Sequence, residues 1–330
     1  MARKEKISIV LGGGGSRGLS HLGVLQVLQR EGIQMHGIVG TSVGAVAGAI
    51  YALEPDAEGI SRRALAYLKS AAFRHDTFKK VLLKSQAAPT NFLRSLISGI
   101  RNSYVFSNLI RRPAIFPADR LESMIWDIVP DKQFSDTKIP FAVPALDIRT
   151  GNEVLLTRGS LRKAVLASCS LPGFFPPVEF DGMLLADAGV IGPVPVSAAA
   201  IFEPTAVIAV DITSQLDDLP KTMRGLDAIL RVEMIAGRRL NAMELANADV
   251  VIRPEVGKKY WSDFSELDDL VSQGIRAAEE KLPEIRALFQ RRKFLFWRPG
   301  KTHPPAGSGV GMTYPEGHPE SRESGEGAGA

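Results

Sequence analysis

The stretch Gly40-Thr41-Ser42-Val43-Gly44 decides how this chain is interpreted, because it is a G-x-S-x-G motif close to the N-terminus. The strand-like segment His36–Val39 precedes it, and the alanine-rich, helix-like segment Val43–Leu53 follows. Between a strand and a helix, this motif predicts a sharp turn that holds a serine oxygen clear of the backbone. Ser42 is therefore a candidate nucleophile, with flanking glycines that leave room for the turn.

A glycine run lies upstream, between the strand-like Ile7–Leu11 and the amphipathic segment Leu19–Arg30. Its spacing Gly13-x-Gly15-x-x-Gly18 matches a dinucleotide-binding fingerprint, which also needs a carboxylate at the end of the second strand. That strand instead ends in Val39-Gly40-Thr41-Ser42, which argues against a nicotinamide-dependent oxidoreductase. No G-K-[ST] follows the run, so a Walker phosphate loop is also excluded. The remaining functional interpretation is an oxyanion hole built from backbone N–H groups, and a tight packing turn is compatible with it.

The chain offers no histidine in a suitable place for the general base. A Ser-His-Asp site of the α/β-hydrolase kind runs in the order serine, acid, histidine. Only His303 and His318 follow a plausible acid, and both lie in a tail rich in Gly, Pro, Ser and Glu. His21 is more simply a packing residue at a helix start. The base is therefore expected to be a carboxylate. Asp187 stands out because Ala188-Gly189 could turn it into the site, although local sequence alone favours an ordinary turn aspartate.

Composition is typical of a soluble globular protein, with 45% hydrophobic and 23% charged residues. The start of the chain does not resemble a signal peptide, and no apolar run approaches the roughly 18 residues that span a bilayer. These features predict a cytoplasmic protein whose membrane contact, if any, is peripheral. The single cysteine, Cys169, fits a reducing compartment and is interpreted as a small buried hydrophobic residue. A net charge of +4 gives no reason to expect a nucleic acid partner, and the oligomeric state stays open.

The order of strand and helix patterns predicts an α/β fold with a parallel sheet covered by helices. Residues 55–116 interrupt this alternation with eleven Lys or Arg against three Asp or Glu, and they are expected to form a basic helical insertion. It could be a lid that meets anionic lipid or a solvated helical excursion. Residues 291–330 are expected to be a basic, aromatic segment and a disordered tail. Further strands are predicted at Pro140–Arg149, Glu153–Thr157, Val178–Leu185, Ala206–Asp211 and Asp249–Arg253, and further helices at Leu161–Ser168, Lys221–Ala246 and Ser265–Gln290.

Taken together, the motifs resemble those of the bacterial patatin-like phospholipases. The matching segments are Gly13-Gly14-Gly15-Ser16-Arg17-Gly18, Gly40-Thr41-Ser42-Val43-Gly44, the loop Ala167-Ser168-Cys169-Ser170-Leu171-Pro172-Gly173-Phe174-Phe175-Pro176-Pro177-Val178, and Asp187-Ala188-Gly189. The resemblance covers residues 7 to 290, and residues 1–290 are expected to form one domain. It implies a three-layer α/β/α fold with a mainly parallel sheet and hydrolysis of lipid acyl esters without calcium or another cofactor.

Carried over by position, the resemblance assigns Ser42 as nucleophile and Asp187 as base. It favours the backbone amides of Gly14, Gly15 and Arg17 as oxyanion donors. Two positions depart from the family: its acid motif is usually D-G-[AG], where this chain has Ala188, and an asparagine often occupies the place of Gly192. The expected activity is that of a phospholipase A or lysophospholipase. The alternative is a regulatory or adaptor protein with the same fold and little activity.

Overall fold

The structure, a computed structural model, describes residues 5–70, 114–213, 225–256, 267–290 and 312–313. Within these residues the strands are β1 (Ile7–Leu11), β2 (Met35–Gly40), β3 (Phe141–Asp147), β4 (Asn152–Leu156), β5 (Val178–Phe180), β6 (Met183–Ala186), β7 (Ala206–Val210), β8 (Val250–Ile252) and β9 (Met312–Thr313). The helices are α1 (Leu19–Arg30), α2 (Val43–Leu53), α3 (Ala57–Lys69), α4 (Ala118–Ile128), α5 (Leu161–Cys169), α6 (Gly225–Leu245) and α7 (Leu267–Gln290).

The sheet is buried on both faces, as the apolar run of β1 predicts. Ile9 and Leu11 belong to one hydrophobic cluster, whereas Val10, which points the opposite way, belongs to a second. The first cluster includes side chains of α1, α2, α5 and α7, and the second includes residues 194–199 and the end of α6. This arrangement confirms the predicted three-layer α/β/α architecture.

The sheet has a parallel part and an antiparallel part. The strand order is β5-β6-β3-β2-β1-β7-β8, and β4 and β9 join through β3. β3, β2, β1, β7 and β8 are mutually parallel, whereas β4 and β6 pair antiparallel with β3. The sheet is thus mixed: five parallel strands run from β3 to the edge strand β8, and the antiparallel strands lie at the β3 end.

The register around β3 brings two distant parts of the chain together. β2 pairs with the start of β3, at Phe141 and Ala142. β6 pairs with its end, at Leu146 and Asp147, and runs in the opposite direction. The segments that follow β2 and β6 therefore converge on the middle of β3, where Pro144 lies.

The prediction of one strand over Val178–Leu185 is wrong, because the structure has the hairpin β5–β6 there. Asp181 (φ 48°) and Gly182 (φ 79°) reverse the chain. Asp-Gly is a strong signal for such a turn. Of the proposed insertion, α3 and residues 114–116 are described, and residues 71–113 lie outside the described part. The segment 291–330 also lies outside it, apart from β9.

Candidate active site

Ser42 sits in a strained turn between β2 and α2. Its backbone angles are φ 54° and ψ −121°, and only two other non-glycine residues in the described part of the chain have a positive φ. Such a conformation costs on the order of 1–3 kcal/mol for a residue with a Cβ. The half-buried Ser42 side chain is thereby placed at the end of β2, before the first turn of α2.

The motif glycines allow the backbone segments around Ser42 to approach closely. A Cβ on Gly44 would lie 2.1 Å from the carbonyl oxygen of Leu11, and one on Gly40 would lie 2.4 Å from that of Gly44. Both contacts are with backbone, which cannot move aside. The G-x-S-x-G spacing is thus a steric requirement of the turn that presents Ser42.

Asp187 leaves the end of β6 and meets Ser42 over the middle of β3. Its carboxylate lies close enough to the Ser42 side chain for the two to interact, and it accepts a hydrogen bond of 2.7 Å from the backbone N–H of Gly189. Only 4% of the residue is exposed. Burial raises the pKa of Asp187 to about 6, although the Ser42 side chain and the Gly189 N–H favour the charged form.

The two departures from the family pattern do not disturb this geometry. Ala188 begins a short 3-10 turn, Ala188–Val190, and its φ is not positive, so its methyl group creates no backbone conflict. The side chain of Ala188 is 1% exposed and packs in the interior. A Cβ on Gly192 would lie 3.4 Å from a carboxylate oxygen of Glu153, which marks a close but flexible contact.

The glycine run borders Ser42. A Cβ on Gly13 would lie 3.4 Å from the Cβ of Ser42, and the N–H of Gly13 donates to the carbonyl of Pro193 at 2.9 Å. The next residues form a 3-10 turn, Gly15–Gly18, which Gly15 enters with φ 62°. The candidate oxyanion amides of Gly14, Gly15 and Arg17 thus belong to the segment that begins after Gly13, beside Ser42.

Two polar side chains brace the glycine run. The Nε of Arg17 donates to the carbonyl of Gly14 at 2.9 Å, and the Nε2–H of His21 donates to that of Gly12 at 2.8 Å. Burial lowers the pKa of Arg17 to about 10 and that of His21 to about 4, with nearby Asp211 opposing both shifts. At neutral pH Arg17 is therefore charged and His21 is neutral. His21 packs at the start of α1, with no role as a base.

Residues at the end of α5 accept hydrogen bonds from the backbone of both Ser42 and Asp187. The sequence did not predict these contacts. The hydroxyl of Ser168 accepts a hydrogen bond from the backbone N–H of Ser42 at 3.0 Å. The carbonyl of Ser170 accepts one from the N–H of Asp187, also at 3.0 Å. The available signal was the run of small polar residues Ser168-Cys169-Ser170, which follows the apolar segment 164–167 at the helix end.

Cys169 packs against the hydrophobic core, as a small hydrophobic residue is expected to, and it also lies beside the candidate site. The residue is half-buried, and its thiol is close enough to the Ser42 side chain to interact with it. Burial, together with the charge of Asp187, raises the pKa of this thiol well above its usual value. Cys169 is therefore a neutral thiol beside Ser42 and Asp187.

The site combines a serine in a strained turn, a buried carboxylate beside it and an adjacent glycine loop. These are the features of a serine hydrolase type of site on an α/β fold. Comparison with known proteins identifies the family of the chain. Residues 9–200 match the patatin-like phospholipase family, and the chain belongs to that family.

Its curated relatives are mostly much longer proteins. Lysophospholipase NTE1 of Scheffersomyces stipitis is 27% identical over 325 residues, which covers 88% of this chain and 19% of that protein. Human patatin-like phospholipase domain-containing protein 6 is 32% identical over 63% of this chain and 13% of its own length. An NTE family protein of Mycobacterium bovis is 31% identical over 63% of this chain and 49% of its own length. The chain thus spans at most about half of these relatives.

Among solved structures, VipD from Legionella pneumophila is similar with a TM-score of 0.45 and 16% identity, covering 88% of this chain and 67% of that one. Human GIVD cytosolic phospholipase A2 in complex with a fluorophosphonate is similar with a TM-score of 0.43 and 14% identity, covering 88% and 59% of the two chains. None of the helices in the described part of the chain combines the length and apolar character that crossing a membrane requires.

Proposed function

We propose that this protein is a lipid acyl hydrolase that cleaves fatty-acyl esters through an acyl-enzyme on a Ser42–Asp187 dyad. The observation that carries the proposal is the position of the buried Asp187 carboxylate beside Ser42, whose side chain stabilises the charged form. Family membership supports ester hydrolysis, and relatives named lysophospholipases make a long-chain monoacyl phospholipid the first substrate to test.

In the proposed reaction, Asp187 takes the hydroxyl proton while the Ser42 oxygen attacks the ester carbonyl. The amides of Gly14, Gly15 and Arg17 would donate to the oxyanion that develops. Asp187 then gives its proton to the departing alcohol, which leaves the acyl group on Ser42. A water molecule, deprotonated by Asp187, attacks this acyl-enzyme and releases the fatty acid, and the proton returns to Ser42.

The raised pKa makes Asp187 a better base than an ordinary aspartate. Asp187 must be ionised to accept the proton, so kcat/KM should be level above about pH 7. Since the pKa is about 6, kcat/KM should fall roughly tenfold per unit at pH values well below it. A cytoplasmic location, with peripheral access to membrane lipid, fits this mechanism and is part of the proposal.

Turnover of a monoacyl phospholipid by the purified full chain tests this function. Ser42→Ala and Asp187→Asn should each lower kcat by about three orders of magnitude or more. The matched control is Asp181→Asn, the same change at the exposed turn between β5 and β6, which should leave kcat within about twofold.

A fluorophosphonate probe separates the hydrolase from the adaptor alternative. The hydrolase predicts covalent labelling of the wild type and of Asp181→Asn, and none of Ser42→Ala. A wild-type protein that neither reacts with the probe nor turns over phospholipid, lysophospholipid, glyceride or thioester substrates would favour the adaptor.

A further inference from the structure

The strained backbone at Ser42 needs an interaction that holds it in place. Inside the turn, the carbonyl of Ser42 accepts from the N–H of Ala45 at 2.8 Å, which begins α2. The N–H of Ser42 is not used by the helix. It donates instead to the hydroxyl of Ser168, which lies 126 residues further along the chain.

The Ser168 hydroxyl connects the turn to the sheet. Ser168 is completely buried, and its hydroxyl also donates to the carbonyl of Pro144 at 2.8 Å. Pro144 lies in the middle of β3, where the segments after β2 and β6 converge. The Ser168 hydroxyl therefore connects the turn at Ser42 to β3. The same strand pairs with β6, which leads to Asp187.

The neighbouring Ser170 offers a comparison, because it lies at the same helix end and its hydroxyl bonds within the helix. Its hydroxyl donates to the carbonyl of Leu166, four residues earlier, at 2.8 Å. That local bond is the usual arrangement for a serine in a helix. Ser168 forms two bonds to distant backbone groups instead. Its orientation is thus determined by the site and not by the helix.

We propose that Ser168 is a positioning residue for the hydrolysis, which holds the backbone of Ser42 in its strained conformation. The effect on turnover rests on the proposed function. When the hydroxyl is removed, the N–H of Ser42 loses its acceptor, and the turn can relax away from φ 54°. The Ser42 oxygen then spends less time aligned with Asp187 and the bound ester, a loss that appears in kcat more than in KM.

The test compares Ser168→Ala with Ser170→Ala, which is the same change two residues away. Ser170→Ala removes only the local bond and keeps the carbonyl that binds Asp187. We expect Ser168→Ala to lower kcat by roughly 10- to 100-fold with KM changed by less than about threefold. We expect Ser170→Ala to stay within about threefold of wild type. Ser168→Thr retains the hydroxyl and should recover most of the lost kcat.

Amide hydrogen exchange gives a readout that does not depend on catalysis. The N–H of Ser42 should exchange at least about tenfold faster in Ser168→Ala than in wild type or Ser170→Ala. Equal exchange in all three proteins would overturn the proposal. So would a loss of kcat that follows the melting temperatures of the two alanine variants. If the wild type has no hydrolase activity, the proposed function fails, and the exchange comparison still decides the role of Ser168.

Discussion

The two halves of the candidate site, around Ser42 and around Asp187, carry different energetic costs: backbone strain in the first and burial of a charge in the second. Ser42 has a strained backbone and a half-buried side chain, and it leaves a parallel strand. Asp187 has a relaxed backbone, with φ −62° and ψ 117°, and it leaves an antiparallel strand. Its cost is electrostatic instead, because burial disfavours the carboxylate and raises the pKa to about 6.

In the proposed reaction, the two residues are therefore prepared for chemistry by different means. Ser42 is oriented through its backbone, because glycines leave room for the turn and the Ser168 hydroxyl accepts the hydrogen bond of its N–H. Asp187 is made more basic by exclusion of water. Changes in backbone shape should therefore affect the Ser42 half most, and changes in charge should affect the Asp187 half most.

The largest expected effect comes from Gly44→Ala. The new Cβ would lie 2.1 Å from the carbonyl oxygen of Leu11 in the central strand β1, which cannot move without disrupting the sheet. We expect the free energy of unfolding to fall by about 3 kcal/mol or more, measured by urea denaturation.

Gly189→Ala is the matched change on the Asp187 half. There the new Cβ meets a carboxylate oxygen of Asp187 at 2.9 Å, and this side-chain end can shift. Stability should change by less than about 1 kcal/mol while kcat falls. Similar stability losses in both variants would contradict the distinction between a steric and an electrostatic half.

Asp187→Asn should stabilise the protein at neutral pH while it removes activity. The pKa of Asp187 rises on folding from 3.8 to about 6. The folded protein therefore binds the proton more tightly, and stability falls as pH rises from about 4 to about 6. The wild type is weakened by up to about 3 kcal/mol above this range, and the neutral asparagine avoids that loss.

The measurement is the melting temperature of both proteins from pH 4 to pH 8. Asp187→Asn should melt higher than wild type above pH 7, with a difference that shrinks toward pH 4. The Asp181→Asn control should follow the wild type throughout. A constant difference across this pH range would show that the gain does not come from the buried charge.

The smallest expected effect is the change in stability when glycine replaces Ser42 or Ala188, because only Ser42 has a strained backbone. Ser42→Gly should be more stable than Ser42→Ala by roughly 1 kcal/mol, because glycine adopts a positive φ without strain. Glycine should have the opposite effect at position 188: the free energy of unfolding of Ala188→Gly should be lower than that of the wild type by roughly 0.5–1 kcal/mol, since the φ of Ala188 is not positive. Chemical denaturation of the three variants gives both differences. The same sign at both positions would refute the assignment of strain to Ser42.

Much of the fold followed from local patterns. The bounds of β1, α1 and α2 match those predicted, because a continuous apolar run and a helical spacing of leucines each favour one structure. The hairpin β5–β6 was missed because both of its strands are short and apolar, and the Asp181-Gly182 signal was read as part of one strand. The structural effect of Ala188, which replaces the usual glycine of the family motif, could not be predicted from sequence, since the sign of φ depends on the turn that the acid adopts.

The α/β class and the strand–turn–helix that carries Ser42 followed from the sequence alone, because they depend on residue types at short spacings, where local sterics dominate. Asp187 lies far along the chain and was predicted from the resemblance to the patatin-like phospholipases. Three further properties are visible only in the folded chain: Ser168 binds the Ser42 backbone, Cys169 lies beside the Ser42 side chain, and burial raises the pKa of Asp187. Those properties arise from strand register and burial, because β2, β6 and α5 meet at the middle of β3 although they are far apart in the chain.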